Sequence, residues 1–322
     1  MKAAVIRKAG GRPEYAEFSE PVASEGMEVV TVSASALSTF SKSRSSGAHY
    51  SADGVFPSVA GSDGVGRTAD GRRVYFALPQ APYGALGERS LVRSRQCVAV
   101  PEELDDVTAA AIANPGMSAW AALVERARLV KGETVLVNGA TGSAGRIAVQ
   151  LAKYLGAGKV IATGRNAREL EDLRRLGADA VVPFALADSE GVKQFEQALI
   201  AEFAAGVDVV VDYLWGTSAK TIMVAIAKGV EDAHPVRFVH VGGAAGEESI
   251  ELPGAALRSS AIQLMGSGVK SVPFAKLLEA IESVFAAVVP AKLEVATRVM
   301  PLAEIAEAWD APGKPRVVVK IP

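Results

Sequence analysis

From Thr134 onward, short apolar runs alternate with stretches whose apolar residues recur at helical spacing. The apolar runs predict strands at Thr134–Asn138, Lys159–Thr163, Ala180–Val182, Val207–Val211, Val236–Val241 and Ile262–Met265. The helical spacing predicts helices at Ala144–Leu155, Ala167–Leu176, Lys193–Phe203 and Thr217–Lys228. The strands are near-continuous Val/Ile/Leu runs, the pattern of a parallel sheet covered by helices on both faces. That alternation predicts a doubly wound α/β domain. Before it, Met1 to about Pro115 carries short β-like runs (Ala3–Ile6, Met27–Val32, Arg73–Phe76) broken by Gly, Pro and Ser, with turn chemistry at Ala69-Asp70-Gly71. Segment 38–54, polar and rich in Ser and Gly, reads as a loop over a surface or cleft. Ala109–Ala113 and Ser118–Val130 predict two helices, the second closed by Lys131-Gly132. A helix at Pro273–Val288 and a strand at Arg316–Ile321 do not extend the alternation and are expected to return to the first domain.

Length and composition narrow the classes. A chain of 322 residues has room for about two domains. With 34 Lys plus Arg against 36 Asp plus Glu, the net charge of −2 leaves no basic footprint for nucleic acid. No apolar run reaches the ~18 residues needed to cross a bilayer, and Met1–Lys8 is charged again too soon for a signal peptide. The single cysteine, Cys97, permits no internal disulfide and no thiolate cluster, and reads as a small inert hydrophobe. The expectation is a soluble cytoplasmic protein with neither nucleic-acid nor membrane partners.

The candidate chemistry begins at Val135-Leu136-Val137-Asn138-Gly139-Ala140-Thr141-Gly142-Ser143-Ala144-Gly145. Glycines recur at 139, 142 and 145 between an apolar strand and a helix on which Ile147, Leu151 and Leu155 share one face, with Gly156 as its cap. A pyrophosphate needs free backbone amides at a helix N-terminus and no Cβ in its path. Ala140 stands where the strict G-x-G-x-x-G has its first glycine, but the ~30-residue strand–turn–helix–strand setting makes the signal strong. About 20 residues on, where an NAD site places Asp or Glu, the chain reads Thr163-Gly164-Arg165-Asn166. A guanidinium there attracts a 2′-phosphate, so the expected cofactor is NADP (NADPH). Short-chain dehydrogenases are excluded. Arg146 and Ala148 stand where their turn needs glycine, and none of the six tyrosines has a lysine four residues on.

A Gly/Pro-punctuated β domain, a dinucleotide domain and a C-terminal return resemble the medium-chain dehydrogenase/reductase superfamily over essentially the whole chain. The resemblance rests on the glycine turn and on the segments Ala60–Gly66, Asn114–Trp120, Val207–Asp212, His240–Gly243 and Met265–Ser267. It implies a GroES-like β-barrel catalytic domain (1–117 and 269–322) and a Rossmann coenzyme domain (118–268), with the active site between them. Zinc alcohol dehydrogenases of this superfamily hold the metal with Cys, His and Cys. The matching positions here are Ser38, Ser62 and Asn114, with Asp63 in the acidic place, and none of the three is an ordinary zinc ligand. The chain therefore resembles the zinc-independent NADPH:quinone oxidoreductase branch that includes ζ-crystallin, and no metal residue is expected.

That resemblance also implies roles. Gly139, Thr141, Gly142, Ser143, Ala144 and Gly145 would hold the pyrophosphate, and Gly164, Arg165 and Asn166 the phosphorylated ribose. Asn114 and Ser118 would face the nicotinamide, with Val241, Gly242, Gly243 and Ser267 beside it. Quinone reductases of this type carry an aromatic residue shortly after the glycine matching Gly47, a position for which His49 and Tyr50 compete. Tyr50 would donate to a developing oxyanion or roof the pocket, whereas His49 titrates nearer neutrality. Lys42 and Arg44 read as solvated charges, and Asp212 as a hydrogen-bonding structural residue. A homodimer joined at the Ile262–Met265 sheet edge is implied.

Three alternatives stand beside quinone reduction. An enone or enoyl reductase acting on an α,β-unsaturated carbonyl would use the same fold and cofactor. A non-catalytic NADPH-binding protein would bind without turnover, and an alcohol dehydrogenase would need stoichiometric zinc.

Overall fold

The computed structural model describes residues 1–322, which divide into two compact units. The first comprises Met1–Asn114, Ile281–Ala286 and Glu294–Pro322; the second comprises Pro115–Ala280 and Ala287–Leu293.

The first unit is built on antiparallel sheet. Lys2–Ile6 lies between Glu14–Glu17 and Ser58–Val59 in a three-stranded sheet, and a seven-stranded sheet is built around the long strand Met27–Ala36. That strand is flanked by Asp63–Thr68 and by the C-terminal strand Arg316–Lys320, and it also pairs with Arg89–Arg93. The return expected of the chain end is thus a strand addition, and Arg316–Lys320 runs beside Thr297–Pro301 in parallel. Ile6, Val30, Val32, Phe76, Leu86, Val317 and Val319 close the core on Ile305 and Leu302.

Two local differences from expectation have physical causes. Segment 38–54 is not all loop, because Thr39–Ser45 forms a helix whose N-cap, Ser38, accepts the Ser41 amide at 2.9 Å. Only Ser41 of that helix is buried, so it carries no apolar stripe to betray it. The two helices expected at 109–113 and 118–130 are one, Asp106–Trp120, running on as a π-helical turn at Ala121–Arg126. Asp105 caps it through the Thr108 amide, and Pro115 is carried inside with Ser118 Oγ donating to its carbonyl at 2.9 Å. Proline there removes one backbone donor, a cost of ~3 kcal/mol in an isolated helix, but Ala109–Ala113 are all fully buried and packing outweighs it. By length and composition this helix suffices to cross a membrane, although it is mostly buried inside the protein.

The second unit holds a six-stranded parallel sheet in the order Ala180–Pro183, Lys159–Gly164, Thr134–Asn138, Val209–Asp212, Pro235–His240, Ala261–Gly266. The chain order reverses between the Thr134–Asn138 and Val209–Asp212 strands, which makes their carboxyl ends a topological switch point, where such sheets bind ligands. On one face Leu136, Ile161, Val210 and Phe238 pack against Phe195, Leu199, Ile222 and Ile226 of helices Ser189–Ala204 and Gly216–Gly229. Helix Ser143–Tyr154 buries Ile147, Ala148, Leu151 and Ala152, and Gly156 follows its last turn at φ +94°.

Candidate functional site

The glycine turn leaves the strand at Asn138 and enters helix Ser143–Tyr154 through Gly142, which caps it without a side chain. The first-turn amides are therefore met by no protein side chain at the cap, as an anion site requires. Gly139 sits at φ +81°, and a Cβ at Gly145 would lie 2.4 Å from the Gly139 carbonyl oxygen and 2.6 Å from Ala140 Cα. Those neighbours are backbone and cannot move aside. Ala140, between the two glycines, is fully buried. The amides of Gly139 and Ala140 both donate to Thr163 O, at 3.2 and 2.9 Å, which ties the turn to the neighbouring strand's end.

Gly164 closes that strand and stands against the Thr141 side chain, so the expected phosphate and ribose positions are brought together. Arg165 is exposed and meets no carboxylate. Asn166 is engaged otherwise: its side chain accepts the Glu169 amide at 3.2 Å and donates to the Glu169 carboxylate at 3.1 Å, capping helix Ala167–Asp172. Ser143 and Ala144 occupy the first helical positions.

Beyond the switch point, the amides of Val241 and Gly242 donate to Asp212 O, and the Ser267 amide donates to His240 O at 2.8 Å. Gly243 and Gly266 have open space where a Cβ would stand. Ser118 is half-buried on its helix and hydrogen-bonded to Pro115 O.

In the first unit, His49 and Tyr50 are neighbours with different surroundings. His49 is half-buried, edge-on to Phe40 at 5.0 Å between centroids, and tilted against Tyr50 at 4.1 Å. The Ser51 amide donates to His49 Nδ1 at 3.2 Å, so that nitrogen is unprotonated and the neutral ring carries its proton on Nε2. Burial, with the nearby Arg44 charge, holds the imidazole below its ordinary value. Tyr50 is 64% exposed. Lys42 and Arg44 are not the solvated charges expected. The Lys42 ammonium is partly buried, donates to Trp309 O and lies 5.8 Å from that ring's centroid, so burial lowers its pKa against the pull of Asp310. Arg44 is paired with Asp53 at 2.5 Å.

The positions that the resemblance gives to zinc ligands carry two hydroxyls and a carboxamide. Ser38 Oγ caps a helix, Ser62 Oγ donates to Asp63 at 2.6 Å, and Asn114 is half-buried on the Asp106–Trp120 helix. The Asp63 carboxyl is fully enclosed, and burial raises its pKa although Ser62, Arg316 and Tyr75 pull the other way. No three His, Cys, Asp or Glu side chains gather as a metal group would need. This donor set does not fit a catalytic zinc.

One cluster escaped the sequence reading. His240, which the sequence marks only as the start of the His240–Gly243 segment, donates from Nδ1 to buried Asp212 at 2.9 Å. Its signal was present: the apolar strands end on polar residues, Val137-Asn138, Ala162-Thr163, Val211-Asp212 and Val239-His240.

The comparisons agree with this geometry. A family pattern described as zinc-binding dehydrogenase matches residues 144–286. A probable NADPH-dependent quinone reductase from Emericella nidulans is 30% identical over 255 residues, 75% of this chain and 68% of that protein. A phenolphthiocerol/phthiocerol polyketide synthase subunit of Mycobacterium tuberculosis is 31% identical over 219 residues, which cover 66% of this chain but only 9% of the synthase. Among solved structures, the quinone oxidoreductase of Thermus thermophilus, studied also in complex with NADPH, superposes with a TM-score of 0.81 at 27% identity, over 99% of this chain and 100% of that one. The fold and site are those of a two-unit nicotinamide-coenzyme oxidoreductase. The chain belongs to the quinone oxidoreductase branch of the medium-chain dehydrogenase/reductase superfamily, with a GroES-like β domain and a Rossmann domain.

Proposed function

We propose that this protein is an NADPH-dependent oxidoreductase that delivers hydride to a quinone without a catalytic metal. The carrying observation is the glycine turn with its side-chain-free helix entry, beside an exposed Arg165 that no carboxylate neutralises. Both the Emericella and the Thermus proteins are named as quinone reductases with NADPH, which supports the reading. Bound NADPH would supply the hydride. The amides of 142–145 would hold the pyrophosphate, Arg165 the 2′-phosphate, and Val241, Gly242, Gly243, Ser118 and Ser267 the nicotinamide half.

The acceptor follows from what the chain lacks in donors. Alcohol oxidation in this superfamily relies on a Lewis acid to stabilise an alkoxide, and Ser38, Ser62 and Asn114 make a poor zinc set. A reduced quinone spreads its charge as a phenolate and needs only hydrogen-bond donors. Neutral His49, with its proton on Nε2, and the Tyr50 hydroxyl are such donors, and Asn114 adds a carboxamide. The exposed edge at Ala261–Gly266, where Leu264 is 46% exposed, supports a homodimer through this strand.

The test is NADPH oxidation with a quinone, an alkenal and a 2-enoyl thioester, with zinc measured on the same sample. Turnover fastest with the quinone, and less than one zinc per ten chains, is expected. Faster turnover with the thioester would move the assignment to enoyl reduction; binding without turnover on any acceptor would make the protein a non-catalytic binder.

A further inference from the structure

The last rung of the parallel sheet is polar from strand to strand. Thr163, Asn138, Asp212 and His240 are register partners on four consecutive strands. Thr163 Oγ1 donates to Asn138 Oδ1 at 2.7 Å, and Asn138 Nδ2 donates to Asp212 Oδ1 at 2.8 Å and to Ser218 Oγ at 3.0 Å. Asp212, fully buried, also accepts the Leu214 and Trp215 amides and His240 Nδ1. Every member but the last is buried and hydrogen-bonded inside the protein. His240 is the exception. Its Nδ1 proton is fixed by the carboxylate, no protein group takes Nε2, and the side chain is 36% exposed.

The surroundings of that imidazole are built rather than loose. The Trp215 ring lies 4.5 Å from it, and Trp215 holds φ +62°, a conformation that costs a non-glycine residue energy and collects at ligand sites. The nearby Gly243 and the register partner Gly266 leave open space on the carboxyl side. A dinucleotide over the switch point, with its pyrophosphate at the Gly139 turn and its adenosine side toward Arg165, must extend its other half across the ends of the next two strands. Two strand spacings, about 10 Å, separate the Asn138 strand from that of His240.

From this we infer that His240 Nε2 accepts a hydrogen bond from a ribose hydroxyl of the nicotinamide half of the coenzyme, with Asp212 as the positioning residue that sets its tautomer. The inference rests on the proposed NADPH reading and adds to it a contact specific to one half of the molecule. Because Thr163, Asn138, Asp212 and His240 form one chain of hydrogen bonds, the same rung that joins the strands aims the ring.

The experiment compares NADPH with 2′,5′-ADP, which keeps the adenosine half and its phosphate but has no nicotinamide riboside. Dissociation constants are measured by calorimetry for the wild type, His240→Ala and His240→Gln. Removing one neutral hydrogen bond should raise the NADPH constant about fivefold to tenfold and leave that of 2′,5′-ADP unchanged. Glutamine, which can donate to Asp212 and accept from a hydroxyl at one terminus, should hold NADPH near wild type. Equal weakening of both ligands by His240→Ala would make the residue structural only and overturn the inference, as would no change in either or a glutamine variant no better than alanine. A wild type that binds 2′,5′-ADP but not NADPH overturns it too. A wild type that binds neither ligand overturns the coenzyme reading itself, so the two failures are told apart before any variant is made.

Discussion

Replacing Arg165 by alanine isolates the choice between NADPH and NADH. The strand Lys159–Gly164 ends beside the glycine turn, Arg165 follows it exposed to solvent, and no acid stands there to receive a ribose 2′-hydroxyl. A hydrogen bond to a charged group contributes roughly 1.5–3 kcal/mol. At 1.4 kcal/mol per decade that is about 10- to 150-fold in affinity. The site is open to solvent, so screening favours the lower end, about tenfold at physiological salt. Fluorescence titration of the wild type and Arg165→Ala should show weaker NADPH binding and unchanged NADH binding. In ~1 M salt, where the screening length falls to about 3 Å, the wild-type preference should shrink. Undiminished NADPH affinity in the variant, or an equal loss of NADH, would refute the reasoning.

Three further outcomes follow from particular groups. Gly145→Ala drives a methyl against the Gly139 carbonyl and Ala140 Cα, a clash worth about 1–3 kcal/mol; calorimetry should show a melting temperature several degrees lower, and NADPH binding should weaken with it. The His49 imidazole is held below its unfolded value, so its contribution to stability is present above about pH 6.5 and is lost as pH falls through the folded value. Thermal melts should therefore decline on that acid limb less steeply in His49→Gln, and equal slopes would contradict the lowering of its pKa by burial. Burial pushes the Cys97 thiol up to about 11, with a smaller push from Glu28, so at pH ~8 only about a thousandth is thiolate. Labelling by a disulfide reagent should be slow in the native protein and fast in urea, whereas rapid native labelling would contradict its half-buried setting.

The coenzyme unit was legible because its signals are backbone signals. A position at φ +81°, or one where a Cβ would strike backbone at 2.4 Å, admits glycine and little else, so Gly139 and Gly145 announce the turn in any reading of the chain. Strands buried on both faces, such as Val135-Leu136-Val137, are likewise unambiguous. The helix Thr39–Ser45 was hidden because serine hydroxyls both cap helices and favour loops, and its one buried residue leaves no period to detect. Pro115 split one helix into two on paper because local propensity cannot see the packing that carries a proline. Lys42 and Arg44 look solvated in the sequence because their partners, Trp309 and Asp53, are fixed by tertiary structure.

The polar rung shows why the sequence does not reveal the role of His240. Its partner Asp212 lies 28 residues earlier in the chain, and only the parallel register brings the two side chains onto one face. A buried carboxylate without partners would cost several kcal/mol, and four donors, from the two neighbouring strands and the loop after Asp212, offset that penalty here. An all-apolar rung of the same volume would be at least as stable by the same accounting. A sheet that ends on Asn138, Asp212 and His240 therefore gains orientation rather than stability. Orientation of a ring at the switch point matters only if something outside the protein meets it, and the free Nε2 is the one atom of the rung left to do so.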